Sequence, residues 1–364
     1  MSELNEQYVK DILERFHHDL LQENLLKSKS VQAIELDGNN ANIKIRLGFP
    51  CAGAKDELAA AIKSTLEASD AIDSVNVDIS WKISGHKVEV DVPPIEGIKN
   101  IIAVASGKGG VGKSTTAANL ALALQAEGAT VGILDADIYG PSQPTMLGVK
   151  GEHPESKDNK SFEPVVAHGM NTMSIGYLVE EDTATIWRGP MVSNALQQLL
   201  SETNWGSLDY LVIDLPPGTG DVQLTLAQKI PVTAALIVTT PQDIALIDAK
   251  KAISMFNKVN IPSLGIVENM ATHICSNCGH TEAIFGEGGG DQLAEQYGVD
   301  LLGSLPLQMG IRQQTDSGNP TVAADPDGQI AGIYRDIARK YTARLATISK
   351  DFRGDAAPIM FREA

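Results

Sequence analysis

Three kinds of sequence pattern are missing from this chain, and each absence narrows its function. No apolar run approaches the ~18–20 residues that a membrane-spanning helix needs. The first residues are polar and amphipathic and lack the basic and apolar segments of a secretory signal peptide. Cysteine is scarce, with only Cys51, Cys275 and Cys278, which cannot pair evenly into a disulfide framework. The sequence therefore predicts a cytoplasmic protein with no membrane partner.

Basic residues are also in short supply. The chain has 29 Lys and Arg against 46 Asp and Glu, a net charge of -17. Attraction to nucleic acid phosphates needs clustered bases, so we expect no nucleic acid partner. The 364 residues, 43% of them hydrophobic, are enough for two or three domains with a sizeable core.

Hydrophobic periodicity divides the chain into two parts. The first ~90 residues combine helical spacing with short alternating strands, and Asp37-Gly38-Asn39-Asn40 is typical of a hairpin turn. Consecutive prolines at Pro93 and Pro94 indicate an extended connection. We predict a small α+β domain over 1–93, a linker over 94–98, a main domain over 99–349 and a tail over 350–364.

The main domain alternates apolar strands with helices. Candidate strands are Ile101–Ala105, Thr130–Asp135, Leu208–Asp214, Ala234–Thr239, Ser263–Asn269 and Leu301–Pro306. Continuous apolar strands separated by helices predict an α/β fold with a mostly parallel sheet covered on both faces. We expect Gly148–Ala167 to be a polar surface loop and Ile337–Leu345 to be a solvated terminal helix.

A phosphate-binding loop follows the first of these strands. The segment GKGGVGKS contains the pattern G-x-x-x-x-G-K-[ST] as Gly107, Gly112, Lys113 and Ser114, between a strand and a helix. Backbone N–H groups of such a loop and the helix N-terminus hold phosphates. Lys113 is expected to reach the β/γ-phosphates and Ser114 to ligate Mg²⁺.

The same stretch also fits a competing pattern. Gly107, Gly109 and Gly112 spell G-x-G-x-x-G, and Asp135 lies near the distance at which a dinucleotide fold places its ribose acid. A Lys-Ser pair has no task in a dinucleotide site, however. We therefore favour a nucleoside triphosphatase, in other words a P-loop NTPase.

Acidic and amide side chains follow three of the candidate strands. Because ligands of parallel sheets bind beyond the carboxyl ends of strands, these residues are candidates for the site. Asp214 fits the acid that holds Mg²⁺, Asp137 is placed to orient an attacking water, and Asp135 could support the metal shell. Asn269 is a candidate for contact with the base. Helix capping is the alternative for Asp135 and Asp137, and a turn for Asn269.

Cys275 and Cys278 place two thiols on one tight turn. Two ligands are too few for a closed zinc site or an iron–sulfur cluster, and no second C-x-x-C exists. Cys51, His273 or His280 could supply further ligands within one chain, which leaves a monomeric site open. A two-fold symmetric dimer would bring four thiolates together, which suits a bridging [4Fe–4S] cluster or zinc about equally on chemistry alone. A thioredoxin-like redox pair fits less well, and Cys51 is expected to be a buried thiol without a metal role.

These motifs together resemble one class of ATPases. The loop over Gly107–Ser114, DADIYGPS, DLPPGTGD, ENM and the cysteine pair are similar to the deviant Walker A class of MinD, ParA and the nitrogenase iron protein, in its Mrp/ApbC-type iron–sulfur cluster carrier branch. The first domain resembles iron–sulfur assembly factors. The resemblance covers residues of about 99 to 345.

The resemblance implies an ATP site whose nucleotide-binding residues are Gly107, Lys108, Gly109, Gly110, Val111, Gly112, Lys113, Ser114, Thr115 and, on the adenine, Asn269. It assigns catalysis to Lys108, Lys113, Asp137 and Asp214, with Lys108 reaching across a homodimer interface. Ser114, Asp135 and Asp214 would hold Mg²⁺, while Cys275 and Cys278 would bind the cluster.

The expected function is an ATP-binding and slowly hydrolysing carrier. It would hold a labile [4Fe–4S] cluster between two subunits, receive it from an upstream scaffold and pass it to apo-proteins. The alternatives are a zinc-bridged regulatory ATPase dimer and a MinD- or ParA-like positioning ATPase.

Overall fold

The computed structural model describes residues 4–86, 88, 92–179, 189–275 and 277–348. The predicted tail over 350–364 lies outside these ranges. So do most residues of Lys87–Val92, a segment of the first domain whose alternating pattern predicts a strand. Within them, no helix is both long enough and apolar enough to cross a membrane.

The first part of the chain is a three-stranded sheet with helices on one face. Its elements are α1 (Glu6–Glu14), β1 (Val31–Asp37), β2 (Asn40–Leu47), α2 (Lys55–Glu67) and β3 (Ser74–Trp81). β2 lies in the centre, antiparallel to β1 and parallel to β3. Its alternating residues Ala41, Ile43, Ile45 and Leu47 are buried against the helices. The predicted hairpin is confirmed, because Asp37 pairs with Asn40 and Gly38 has φ +58°.

The main domain is built on a sheet of eight described strands. The elements of the main sheet and its flanking helices are β4 (Ile98–Ala105), α3 (Lys113–Ala126), β5 (Val131–Asp135), α4 (Gln143–Met146), β6 (Val165–Ala167), β7 (Met170–Ser174), α5 (Gly189–Ser201), β8 (Leu208–Asp214), α6 (Asp221–Lys229), β9 (Ala234–Thr239), α7 (Asp243–Lys258) and β10 (Ser263–Glu268). They continue through a separate hairpin, β11 (His273–Ile274) and β12 (Thr281–Glu282), to α8 (Gly289–Tyr297), β13 (Leu301–Ser304), α9 (Met309–Asp316), α10 (Thr321–Ala324) and α11 (Gln329–Leu345).

The strand order of this sheet is β13-β10-β9-β4-β8-β5-β7-β6. All described neighbours are parallel except β6 and β7, which are antiparallel. One apolar layer packs the sheet against α5, α6, α7 and α8, and a second packs it against α3 and α11. The predicted α/β fold, mostly parallel and covered on both faces, is confirmed. Because the strands run in parallel, Asp135, Asp214 and Glu268 end at one edge.

Two expectations about the main domain need correction. Val165–Ala167 is not loop but strand β6, since Val165 and Ala167 turn inward while residues 151–160 remain mostly exposed. Helix α11 is not solvated: Ile337 and Tyr341 are buried against α3. Its apolar stripe faces the P-loop helix, and its arginines point to acids of the main domain.

The small domain docks on the far end of the P-loop helix. Glu127 caps α3 and is fully buried, and its carboxylate accepts hydrogen bonds from Arg335 Nε (2.8 Å) and Arg339 Nη1 (2.7 Å) of α11. The same carboxylate accepts the Gly53 amide at 2.8 Å, and the Glu127 carbonyl accepts the Ala52 amide at 3.1 Å. One buried carboxylate therefore joins α3, α11 and the small domain.

Candidate nucleotide site and cysteine hairpin

The phosphate-binding loop connects β4 to α3, as the sequence predicts. Gly110 and Gly112 both have φ +82°, a left-handed conformation that favours glycine. A Cβ on Gly107 would lie 2.1 Å from the backbone of Asp248 in α7. These positions accept glycine alone without strain, so the loop holds its N–H groups in a fixed curve at the start of α3.

Lys113 and Asp214 form a buried ion pair at the base of this loop. Lys113 is 5% exposed and Asp214 is fully buried. The Lys113 ammonium also donates to the Ser114 hydroxyl at 3.2 Å. The structure thus brings together three predicted site residues, two at the start of α3 and one at the end of β8.

Gln143, at the start of α4, is a site residue that the sequence reasoning missed. Its amide donates to Asp214 Oδ2 at 2.9 Å and to the Ser114 carbonyl at 3.0 Å, and the residue is 1% exposed. It joins the loop after β5 to both the P-loop helix and the acid on β8. The only sequence signal was its place in the segment that follows DADIYGPS.

Asp135 organises the loop that follows β5. Its carboxylate accepts the backbone amides of Asp137 (3.1 Å), Ser142 (3.0 Å) and Gln143 (3.1 Å) and the Ser174 hydroxyl at 3.1 Å. Burial, and next the neighbouring Asp214 carboxylate, raise the pKa of Asp135 to about 7. Asp135 therefore shapes the site through the backbone of its own loop.

Asp137 and Lys108 both line the cavity at the phosphate-binding loop. A cavity of about 280 Å³ is bounded by the P-loop, Asp137, Ser142, Met146 and Pro217. Burial raises the pKa of Asp137, and the ammonium of Lys113 acts in the opposite direction. Lys108 also lines the cavity, and it has no ion-pair partner in the described part of the chain.

Asn269 lies against the P-loop. Its side-chain amide donates to the Val111 carbonyl at 2.9 Å, and a Cβ on Gly112 would lie 2.1 Å from the same nitrogen. Its backbone amide donates to the Thr239 carbonyl at 2.8 Å. The following residue, Met270, has φ +58°, a backbone conformation that few residues other than glycine adopt. The chain thus bends sharply immediately after touching the loop.

The cysteine hairpin begins only a few residues after this bend. β11 and β12 pair antiparallel, the Cys275 amide donates to the His280 carbonyl at 2.9 Å, and the Gly279 amide donates to the Cys275 carbonyl at 2.9 Å. Cys278 is exposed and Cys275 partly so. Hydrogen bonds from the backbone amides of Cys278 and then Asn277 lower the pKa of the Cys275 thiol. This turn favours a thiolate, the form that binds metal.

Cys51 has the opposite environment. It is fully buried beside the docking site of the small domain, and burial raises the pKa of its thiol to about 12. Within the described residues, no group of three or more His, Cys, Asp or Glu side chains is arranged to hold a metal ion. The hairpin therefore presents two thiols, and no third such side chain is arranged with them among the residues described.

Known proteins match both parts of the chain. Residues 97–342 match a family described as ParA, NUBPL iron-transfer P-loop NTPase, and residues 6–79 match a family described as iron–sulfur cluster assembly protein. An iron–sulfur cluster carrier protein of Haemophilus influenzae is 50% identical over 98% of this chain and 95% of its own length.

Two solved structures are similar to the main domain. A nucleotide-binding protein from Archaeoglobus fulgidus, in complex with ADP, is 38% identical with a TM-score of 0.57, over 65% of this chain and 92% of that one. The cell division ATPase MinD of Pyrococcus furiosus is 23% identical with a TM-score of 0.50, over 66% and 97%, and shows the fold alone. With a P-loop on a parallel sheet, an assembly-type domain in front and a match over most of its length, the chain belongs to the NUBPL iron-transfer P-loop NTPase family.

Proposed function

We propose that this protein is an ATP-binding and slowly hydrolysing carrier of iron–sulfur clusters, which holds a labile [4Fe–4S] cluster between two subunits and delivers it to apo-proteins. The observation that carries the proposal is the continuity of one segment. Asn269 contacts the P-loop, and the same strand end leads through the Met270 bend to Cys275. A change in the P-loop can therefore reach the thiols through a few residues.

The names of two relatives support an iron–sulfur cluster as the cargo of this protein. The Haemophilus influenzae relative is called an iron–sulfur cluster carrier protein, and a mouse relative that is 51% identical over 69% of this chain is called an iron–sulfur cluster transfer protein. An exposed C-x-x-C turn with amide donors to sulfur suits an iron–sulfur cluster, because hydrogen bonds to the sulfurs tune such centres.

The nucleotide site suits ATP with Mg²⁺. In this proposal Gly107 to Thr115 surround the phosphates, and Lys113 exchanges its Asp214 partner for phosphate oxygens when ATP binds. Ser114 and Asp214 hold Mg²⁺, the hard cation that their oxygen donors prefer. Asp135 supports this shell through the loop backbone, and Asp137 orients the attacking water. Asn269 contacts the adenine.

A homodimer completes both sites. Each subunit supplies Cys275 and Cys278, so two subunits supply four thiolates, the set that a [4Fe–4S] cluster takes. Lys108 lines the nucleotide cavity, and in this proposal its side chain reaches the nucleotide of the partner subunit. An upstream scaffold protein loads the cluster, and apo iron–sulfur proteins receive it.

Anaerobic reconstitution tests the cargo. We expect wild-type protein to take up iron and sulfide, to absorb broadly in the visible through thiolate-to-iron charge transfer, and to run as a dimer. Cys275→Ala with Cys278→Ala should lose the absorption and keep ATP binding. A stoichiometric zinc content without iron, or equal absorption by the double variant, would contradict the proposed cluster site.

The two lysines are tested separately. Lys113→Ala should weaken ATP binding about 10- to 100-fold, the range for losing a hydrogen bond between charged groups. Lys108→Ala should bind ATP with nearly the wild-type affinity. Under conditions in which the protein is a dimer, its hydrolysis rate should fall below that of wild type. Hydrolysis by Lys108→Ala at the wild-type rate in the dimer would refute its role across the interface.

A further inference from the structure

A cleft of about 360 Å³ lies between the small domain and the end of α11, away from the nucleotide cavity. Its volume is within the ~300–1,000 Å³ of ordinary ligand sites. Four cations line it, Lys27, Lys29, Arg46 and Lys82, against one acid, Glu23. Such a concentration of positive charge stands out in a chain with a net charge of -17.

Three of these four cations have no ion-pair partner among the residues that the structure describes. Lys27 pairs with Glu23 at 2.8 Å. Lys29, Arg46 and Lys82 form no ion pair with any residue that the structure describes. Elsewhere on the surface, lysines such as Lys44 and Lys251 are paired with carboxylates. Three cations around one cleft that pair with no carboxylate in the described ranges favour an anionic ligand.

The backbone fixes where these cations stand. Arg46 is opposite Ser80 in the register of β2 and β3, and Lys82 comes two residues later, so both lie on the open face of the small sheet. Lys29 sits in a turn with φ +56° that is tied to β2, because the Arg46 amide donates to the Ser30 carbonyl at 2.8 Å. The charges therefore converge through paired strands and a closed turn.

The rest of the lining combines polar and apolar residues, and the apolar ones come from both domains. Leu21 and Phe49 belong to the small domain, while Ala346 and Ile348 follow α11. Gly48 approaches Ala346 so closely that a Cβ on it would lie 3.1 Å from the Ala346 Cβ. A ligand in this cleft would touch both domains at their junction.

We infer that this cleft binds a short acidic segment of a partner protein, with an apolar side chain against the Leu21 and Phe49 wall and carboxylates on Lys29, Arg46 and Lys82. Nucleic acid fits less well, since a long polyanion would be repelled by the acidic remainder of the chain. The chain's own residues 349–364 carry three bases and three acids, and so no net negative charge to offer. This inference goes beyond the proposed function and does not depend on the cluster.

Peptide binding by the full chain, without nucleotide or iron, tests the inference. The probe is a fluorescein-labelled peptide of glutamate and aspartate around one leucine, followed by fluorescence anisotropy at low ionic strength. The comparison is Lys29→Gln/Arg46→Gln/Lys82→Gln against a matched control, Lys10→Gln/Lys63→Gln/Lys251→Gln, which removes equal charge outside the cleft. Exposed pairs contribute about threefold each, so the cleft variant should bind about 30-fold more weakly than the control.

The inference would be overturned if wild type showed no saturable binding or if both variants bound the peptide equally weakly. It would also be overturned if a peptide with asparagine and glutamine in place of its acids bound as tightly as the acidic peptide. A fourth contradicting result is that single-stranded DNA displaces the labelled peptide as well as unlabelled acidic peptide does. ATP hydrolysis should be unchanged in both variants, which shows that they are folded. The peptide assay contains no iron–sulfur cluster, so a negative result in it would not contradict the proposed cluster function. A negative result in the cluster experiments would likewise not contradict peptide binding by the cleft.

Discussion

Glu127→Ala should detach the small domain from the ATPase domain without abolishing the fold of either. The carboxylate is fully buried and is shared by two guanidinium groups and the Gly53 amide. Removing it leaves Arg335, 22% exposed, and Arg339, 12% exposed, facing each other without their common acid. The substitution thus converts a compensated buried charge cluster into an uncompensated one.

The expected loss in the free energy of unfolding is about 3 kcal/mol. Breaking a buried ion pair by removing one partner costs roughly 3–5 kcal/mol. Arg339 keeps a second acid, Asp336, and Arg335 has partial access to water, which places the loss at the lower end of that range. Glu127→Gln keeps an acceptor of similar size and should lose about 1.5–3 kcal/mol, the value of a hydrogen bond to a charged group.

Two measurements check this loss. Urea unfolding gives the free energy, and the alkylation rate of Cys51 under native conditions reports undocking, because its thiol is fully buried at the junction. Glu35→Ala is the matched control, since Glu35 is 59% exposed and pairs with an exposed lysine, a pair worth under about 1 kcal/mol. If Glu127→Ala loses no more stability than Glu35→Ala and Cys51 stays protected, Glu127 does not hold the domains together.

Three further predictions concern the site. Gly112→Ala should weaken ATP binding, measured by titration, about 10-fold more than Gly110→Ala does. Both glycines have φ +82°, but only a Cβ on Gly112 would clash with a neighbouring side-chain amide, that of Asn269. Equal losses of affinity in the two variants would contradict this close approach. At neutral pH iodoacetamide should modify Cys275, whose pKa is lowered, well before Cys51, whose pKa is raised to about 12, and mass spectrometry decides the order. Gln143→Leu should lower stability by about 1–3 kcal/mol in urea, since a buried carboxylate loses a donor; an unchanged midpoint would refute this.

Much of the candidate site could be predicted from local sequence patterns. The P-loop, Asp214 and the C-x-x-C turn are contiguous motifs whose physical requirements, positive φ and a strand end, are visible in the sequence. The apolar strands of the main sheet are also continuous runs, and their parallel order follows from the helices between them. These features were predictable because each depends on neighbours in the sequence.

Long-range partners were not predictable. Nothing near Glu127 indicates that arginines about two hundred residues later will neutralise it, and without that pairing α11 looks like a basic, solvated helix. Gln143 acquires its role only when the loop after β5 folds over Asp214. The short β6 pairs with β7, which in turn pairs with β5, and both strands are too brief to show a period.

Helix α3 has the P-loop at one end and Glu127 at the other, 14 residues or about 21 Å apart. Thermodynamic linkage makes any communication along it reciprocal: whatever free energy ATP adds to or removes from docking of the small domain, docking adds to or removes from ATP binding. The leading domain is then an effector carried on the same chain, present at a fixed local concentration. A fragment cut before β4 would not reproduce the nucleotide affinity of the whole protein unless that coupling energy is zero.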